Sequence, residues 1–377
     1  MKVCLTDKNS LLSALQLAQG IVEKKAISPV LSSIVITAKP PDTLEIKCTN
    51  LEESLYVKTW AEVYENATFA LSAKKLMEFV RELPDMPIEI FVENDAVAEM
   101  SVGRIKATFP LVEIEDFPEL PRTPEKTVLL NRDAFLDAIE KVYFSIATDS
   151  VSTALMGMLF TKKGDVVHFV STDGHRLSVV EKRFEIEDLE FEMIIPRKGV
   201  QELKKILDKK IEVDAVDIGF SENHFFMRAG NIEFFTRVLD AKYPNYERVI
   251  PDDFERSFVV ASDTLFKAVK RVSLFSEDKA KSIKFELVPE EKRLVLSSVK
   301  SPDDAFSGIA VEELELVDAE GEPITFGLNA RFLLEALNAF DAETVRFNLG
   351  DALCPIKLES DESRDYIHVI MPVSLEE

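Results

Sequence analysis

Leu71-Ser-Ala-Lys-Lys-Leu-Met-Glu-Phe-Val-Arg-Glu-Leu83, Ile195-Pro-Arg-Lys-Gly-Val-Gln-Glu-Leu-Lys-Lys-Ile-Leu207 and Leu328-Asn-Ala-Arg-Phe-Leu-Leu-Glu-Ala-Leu-Asn-Ala-Phe340 are three versions of one stretch. Aligned, they put a basic residue in one column (Lys74, Lys198, Arg331) and a glutamate four positions on (Glu78, Glu202, Glu335). Apolar columns fall at Leu76, Val200, Leu333 and at Leu83, Leu207, Phe340. The copies lie 124 and 133 residues apart, the spacing of domains rather than of solenoid units. A chain of 377 residues exceeds one ordinary core. The repeat divides it into residues 1–122, 127–250 and 251–377, with proline- and charge-rich linkers at 117–125 and 250–253.

A second motif keeps nearly the same offsets. Residues 9–18, 132–142 and 263–272 align Ala14, Ala138 and Ala268, with apolar residues at i, i+3, i+4 and i+7. This spacing predicts amphipathic helices, capped by Asp7, Asn131 and Ser262. Elsewhere the period is two. Residues 44–48, 166–170 and 293–297 follow turn-like Pro-Pro-Asp42, Lys-Gly-Asp165 and Glu-Glu-Lys292, which predicts hairpins. Residues 88–92 and 232–238 read the same way. Each repeat is thus two helices plus about eight short strands, an α+β unit with antiparallel sheets.

The net charge of −23 argues against general affinity for nucleic acid or anionic membranes. Three scattered cysteines (Cys4, Cys48, Cys354), no apolar leader and no long apolar run fit a cytoplasmic protein. The charge is uneven, however. The six helical segments with their flanks carry twenty Lys/Arg against fifteen Asp/Glu, so the remainder is strongly acidic. Lys204, Lys205, Lys209 and Lys210, with Lys267, Lys270 and Arg271, are the densest groups. Helices facing one way would offer a phosphate backbone a basic surface inside an acidic shell. Solvated lysines kept for solubility are the plainer reading.

STDGHRL (171–177) sets Asp173 near His175, a spacing that a general base and its orienting carboxylate could use. Asp-Gly after an apolar strand is first a turn, with Gly174 free to take positive φ. There is no Gly-x-Ser-x-Gly, GxG or phosphate-binding glycine loop, and His168, His175, His224 and His368 form no metal-ligand spacing. No cofactor or metal is expected. Residues 366–375 read as an edge strand or as a strand whose end lines an apolar pocket.

Several passages together resemble the beta subunits of bacterial DNA polymerase III, the sliding clamps. They are LMGMLF (155–160), STDGHRL, IIPRKGVQEL (194–203), FFTRVLDAKYPNYERVIP (234–251), EDFPELP (115–121) and VIMPVSL (369–375). With the repeat, the resemblance spans the whole chain. It implies three domains of the clamp fold and a head-to-tail homodimeric ring with helices lining the hole and sheets outside. Duplex DNA would pass through without sequence readout, and the clamp would catalyse nothing. A clamp loader would open it, and the polymerase III catalytic subunit and other clamp-binding-motif proteins would dock by short peptides.

The resemblance implies a peptide pocket formed by Leu155, Thr172, Gly174, His175, Arg176, Leu177, Pro244, Arg248, Val249, Val369, Met371, Pro372 and Val373. It implies DNA-facing residues Lys25, Lys74, Lys75, Arg81, Arg197 and Lys198, to which the charge pattern adds Lys204, Lys205, Lys267, Lys270 and Arg271. The dimer seam would use Leu274 and Phe275 against domain 1, with Phe109 as partner. The chain departs from the family at Ala154, where some members carry an aromatic, and at Ser374, where a basic residue can stand. It also departs at Lys24-Lys25 and in the extra Glu376 and Glu377. An enzyme using Asp173 and His175, or an adaptor that never meets DNA, are the competing readings.

Overall fold

The strands form where apolar and polar residues alternate, and their pairing runs without a break from one repeat into the next. The computed structural model describes the chain except for residues 24–27, 94–95, 187–188, 209–212, 222, 277–280, 300–307 and 376–377. Internal contacts divide it into two units, Met1–Leu136 with Lys198–Val238, and Asp137–Arg197 with Leu239–Glu377. The middle of the chain therefore contributes to both.

In the first unit a twelve-stranded antiparallel sheet begins at the edge strand Ile105–Pro110. Its long strand Glu53–Val63 pairs through Ala61–Val63 with Cys4–Thr6, and through Glu53–Val57 with Ile232–Thr236. That second ladder joins a strand of the first repeat to one of the second. Leu55 and Phe234, directly opposite, are both buried. Helices α1 (Lys8–Ile21) and α2 (Ala73–Glu82) bury Leu11, Ala14, Leu15, Leu76 and Val80.

α3 (Arg132–Tyr143) and α4 (Arg197–Asp208) are the helices of the second repeat. From Lys198 onward α4 belongs to the first unit, where Glu202 packs against α1. A Cβ on Gly20 would lie 2.2 Å from Glu202 Oε2, so the glycine lets the Glu202 carboxylate sit directly against α1.

In the second unit a nine-stranded sheet makes the corresponding junction. Strand Arg176–Arg183 pairs with Tyr366–Ile370, Leu177 opposite Val369 and Ser178 opposite His368. Tyr366–Ile370 also pairs with Ile356–Glu359, so it is an interior strand and not the edge that its position near the C-terminus suggests. A four-stranded sheet in this unit ends at Val311–Glu315. α5 (Ser262–Val272) and α6 (Ala330–Ala339) bury Leu265, Ala268, Leu333 and Ala336.

The expected helices and hairpins are all present. Asp7 and Asn131 cap as expected, their carboxylate and amide oxygens accepting from the N–H groups of Ser10 and Ala134. Ser262 does not. It is the first helical residue, its N–H donating to the Glu343 carbonyl, and Ala261 occupies the cap position. No helix among the described residues is long and apolar enough to cross a membrane.

Candidate partner-docking cleft and basic helix faces

In the second unit the heptapeptide 171–177 is a turn knitted by its own side chains. Gly174 has φ +88°, a conformation that strains any residue with a Cβ. The Asp173 carboxylate accepts from the N–H groups of His175 (3.0 Å) and Arg176 (3.1 Å) and from Arg176 Nε (2.9 Å). Thr172 Oγ1 donates to the Arg176 carbonyl at 2.6 Å and accepts from the Gly174 N–H at 3.1 Å. Asp173 is therefore committed to Arg176 and the backbone. The His175 ring instead stacks near Phe332, centroids 6.4 Å apart. No oriented base forms, and the turn serves as scaffold.

What it scaffolds is a cleft lined by Thr172, Gly174, Arg176, Leu177, Val249, Val369 and Met371. Seven of the thirteen expected pocket residues thus converge. Of the others, Leu155 is half-buried beside Ala154, while His175, Pro244 and Arg248 are exposed. Pro372 and Val373 lie half-buried on the C-terminal tail. The floor is a buried cluster containing Ala154, Leu159, Val170, Leu177, Ile194 and Val369, with Tyr243 and Tyr246. The two tyrosines were not anticipated. The signal for them is their place in the motif 234–251, with an i, i+3 spacing in a segment that lacks strand or helix periodicity. Burial pushes Tyr246 up from the ordinary phenol range.

The cleft is small, with a volume of about 20 Å³. Met371 is half-buried, and its N–H is held by the His175 carbonyl at 2.8 Å. Its unbranched side chain is the lining group best able to swing aside for an apolar anchor. A larger cavity of about 700 Å³ in the first unit, between Val35, Tyr56, Phe235 and the segment 114–121, shares no residue with this site.

The basic residues expected to face DNA are mostly paired within the protein. In the first unit Lys74 and Lys75 flank Glu78 at 3.9 and 3.8 Å, and Lys205 bonds Glu202 at 2.6 Å. Lys198 reaches the buried Glu53 at 2.6 Å. Burial raises the Glu53 carboxyl, and Lys198 and Asn50 only partly oppose this. Arg81 is exposed and Lys204 half-buried.

In the second unit Lys267 pairs with Asp263 and Arg271 with Glu312, while Lys270 is exposed. Arg197 is not a free surface cation. It donates to the carbonyls of Tyr143 and Ile146 and lies 4.6 Å from the Tyr143 ring centre. Lys25, Lys209 and Lys210 lie outside the described residues. The pairs exposed on both sides, Lys74 and Lys75 with Glu78 and Lys267 with Asp263, are individually weak, so a phosphate backbone can exchange with them without selecting a sequence.

Leu274 and Phe275 are strongly exposed, at 74% and 44%. Phe109 is not available in the same way. It is 9% exposed and packs edge-on against Phe79 of α2, centroids 5.5 Å apart. Among the described residues no cluster of His, Cys, Asp and Glu could hold a metal ion.

The sequence matches the family description "DNA polymerase III beta subunit" for its N-terminal domain over residues 1–121, its central domain over 129–245 and its C-terminal domain over 247–374. It is 30% identical to the beta sliding clamp of Haemophilus influenzae and 28% identical to that of Vibrio cholerae. Each alignment covers 98% of this chain and 99% of the relative. The structure resembles that of the Pseudomonas aeruginosa sliding clamp bound to griselimycin, with TM-score 0.91, 28% identity and 99% of both chains covered.

Proposed function

Since the chain belongs to the family of DNA polymerase III beta subunits, the sliding clamps of bacterial DNA replication, we propose that it works as a non-catalytic, head-to-tail dimeric ring around duplex DNA. It acts in the cytoplasm, on the nucleoid. The ring tethers the replicative polymerase and other proteins through short peptides docked in the Thr172–Met371 cleft, and a loader opens it. The three domains take the boundaries 1–122, 127–250 and 251–377.

The observation that carries this reading is a rule in the sheets. At each internal junction the fourth strand of one repeat pairs with the last strand of the next: Glu53–Val57 with Ile232–Thr236, and Arg176–Val180 with Tyr366–Ile370. Applied once more, the rule asks the fourth strand of the third repeat, Val311–Glu315, to pair with the last strand of a first repeat, Ile105–Pro110. Among the described residues both are unpaired sheet edges, which invite strand addition. One edge carries Glu312, Glu313 and Glu315, and the other carries Lys106 beside Arg104. Opposite charges favour that pairing. Two copies then close each other's edges, and a closed ring needs only weak backbone attraction because DNA cannot leave sideways.

The test is retention. The protein is loaded on a nicked circle with its loader and ATP, washed in high salt, and the circle is then linearised. Retention on the circle and loss from the linear form is expected. Survival after linearisation would mean gripping by contacts, and failure to load would favour an adaptor that never meets DNA.

A further inference from the structure

Glu335, the glutamate of the repeated column, is shared between two guanidinium groups in the second unit. Its Oε1 accepts from Arg331 Nε at 3.1 Å, and its Oε2 accepts from Arg176 Nη1. The two arginines are very different. Arg331 lies on the outer face of α6 with 75% of its side chain exposed, in the same column as Lys74 and Lys198. The Arg176 side chain is 4% exposed, so its charge depends on its buried partners. Besides Glu335 these are Asp173 and the Phe144 carbonyl, at 2.9 and 2.6 Å. The Phe332 ring of α6 lies 4.3 Å below the guanidinium. Arg176 and the turn it holds through Asp173 supply four of the seven residues lining the cleft.

We propose that Glu335 is a positioning residue that couples the DNA-facing surface of α6 to the peptide cleft. This inference rests on the clamp reading above. With no phosphate nearby, Glu335 divides its charge between Arg331 and Arg176. The Arg331 pair is easily given up: it is exposed and runs in the less favourable order for an i, i+4 pair, the base preceding the acid. A backbone phosphate that draws Arg331 away leaves Glu335 wholly to Arg176. The Asp173–Leu177 turn is then held more firmly, and an apolar peptide meets a better-ordered cleft. Linkage requires the reverse as well, so a docked peptide strengthens the hold on DNA by the same factor. The corresponding glutamates do not bridge in this way, since Glu202 pairs with Lys205 and Glu78 with the lysines of its own helix.

The test measures binding of a fluorescent peptide, taken from the tail of a bacterial replicative polymerase, to free protein and to protein loaded on nicked circles. Wild-type protein should bind the peptide roughly fivefold more tightly when loaded, the low end of allosteric couplings. Arg331→Ala, a change at an exposed site, should give the tighter affinity whether DNA is present or not. Glu335→Gln should bind more weakly and lose the dependence on DNA. A wild-type affinity indifferent to DNA, or a Glu335→Gln variant that keeps the wild-type DNA dependence, would overturn the coupling and leave the cleft assignment standing. Absence of wild-type binding would remove the cleft assignment and the coupling together.

Discussion

His368 has none of its ring exposed, yet it sits in a polar row. Its Nδ1 meets Ser178 Oγ at 2.9 Å and the Tyr366 hydroxyl at 3.2 Å, while Nε2 has no partner among the described residues. Burial first, and then the charge of Arg176, pushes its pKa down to about 3. The unfolded chain accepts the proton near the ordinary histidine value, so below it the unfolded state binds more protons and stability falls as pH falls. The slope approaches about 1.4 kcal/mol per pH unit. His168 and His224 are also held low by burial and add in the same sense. His368→Asn, which can keep an acceptor near the Nδ1 position, should lose about 2 kcal/mol less than wild type between pH 7 and 5. Urea melts at the two pH values measure this, and parallel losses would mean His368 does not titrate on unfolding. At this scale legibility was uneven. Gly174 could be read because a positive-φ turn leaves a sequence mark. The commitment of Asp173 to Arg176, and the capture of Arg197 by two carbonyls, could not, because such partners are set by tertiary approach.

Helices and hairpins are the scale at which the sequence is plainest. The i, i+3, i+4 columns that mark α1, α3 and α5 are the faces those helices bury, and the turn residues stand where the hairpins reverse. The strand Tyr366–Ile370 and its tail were harder, because an apolar terminal strand reads alike at an edge and in an interior. The tail after that strand is fixed at two points. The Met371 N–H donates to the His175 carbonyl, and the Val373 N–H donates to the Gly327 carbonyl at 2.9 Å. A Cβ on Gly327 would lie 2.8 Å from the Val373 carbonyl oxygen and 2.7 Å from Leu375 Cδ2. Gly327→Ala should therefore lift the tail and carry Met371 out of place. The expected result is a roughly five- to hundredfold loss of polymerase-tail peptide affinity, since forced overpacking costs about 1–3 kcal/mol and each 1.4 kcal/mol is tenfold. Calorimetry measures it, and unchanged affinity would show that the path of the tail does not shape the cleft.

For the whole molecule the three-fold repeat was legible because two columns survive in all three copies. The strand rule at the junctions was not, because strand partners are not written in any local pattern. That rule yields a prediction. Leu274 stands in the repeat where Gly20 and Phe144 stand, and both of those lie at junctions, against Glu202 of the second repeat and against His368 of the third. The third junction should then bring Leu274 against α2 of another copy, near Glu78. Leu274→Asp would set a carboxylate in that apolar contact and close to a like charge. It should weaken self-association at least tenfold, about 1.4 kcal/mol, without disturbing the fold of either unit. Sedimentation across a concentration series reads the change, and a dimer as tight as wild type would break the rule.

The unbroken ladders also say where such an assembly yields under load. At two junctions of each protomer a pull is borne by backbone hydrogen bonds backed by the covalent chain. At the third, in the proposed dimer, it would be borne by edge pairing and side chains alone. A ring built this way needs no dedicated hinge to decide where it opens. A tool that merely applies force, anywhere on its rim, finds the same gate, because topology has left only one fracture line per protomer that can part and heal without tearing the chain.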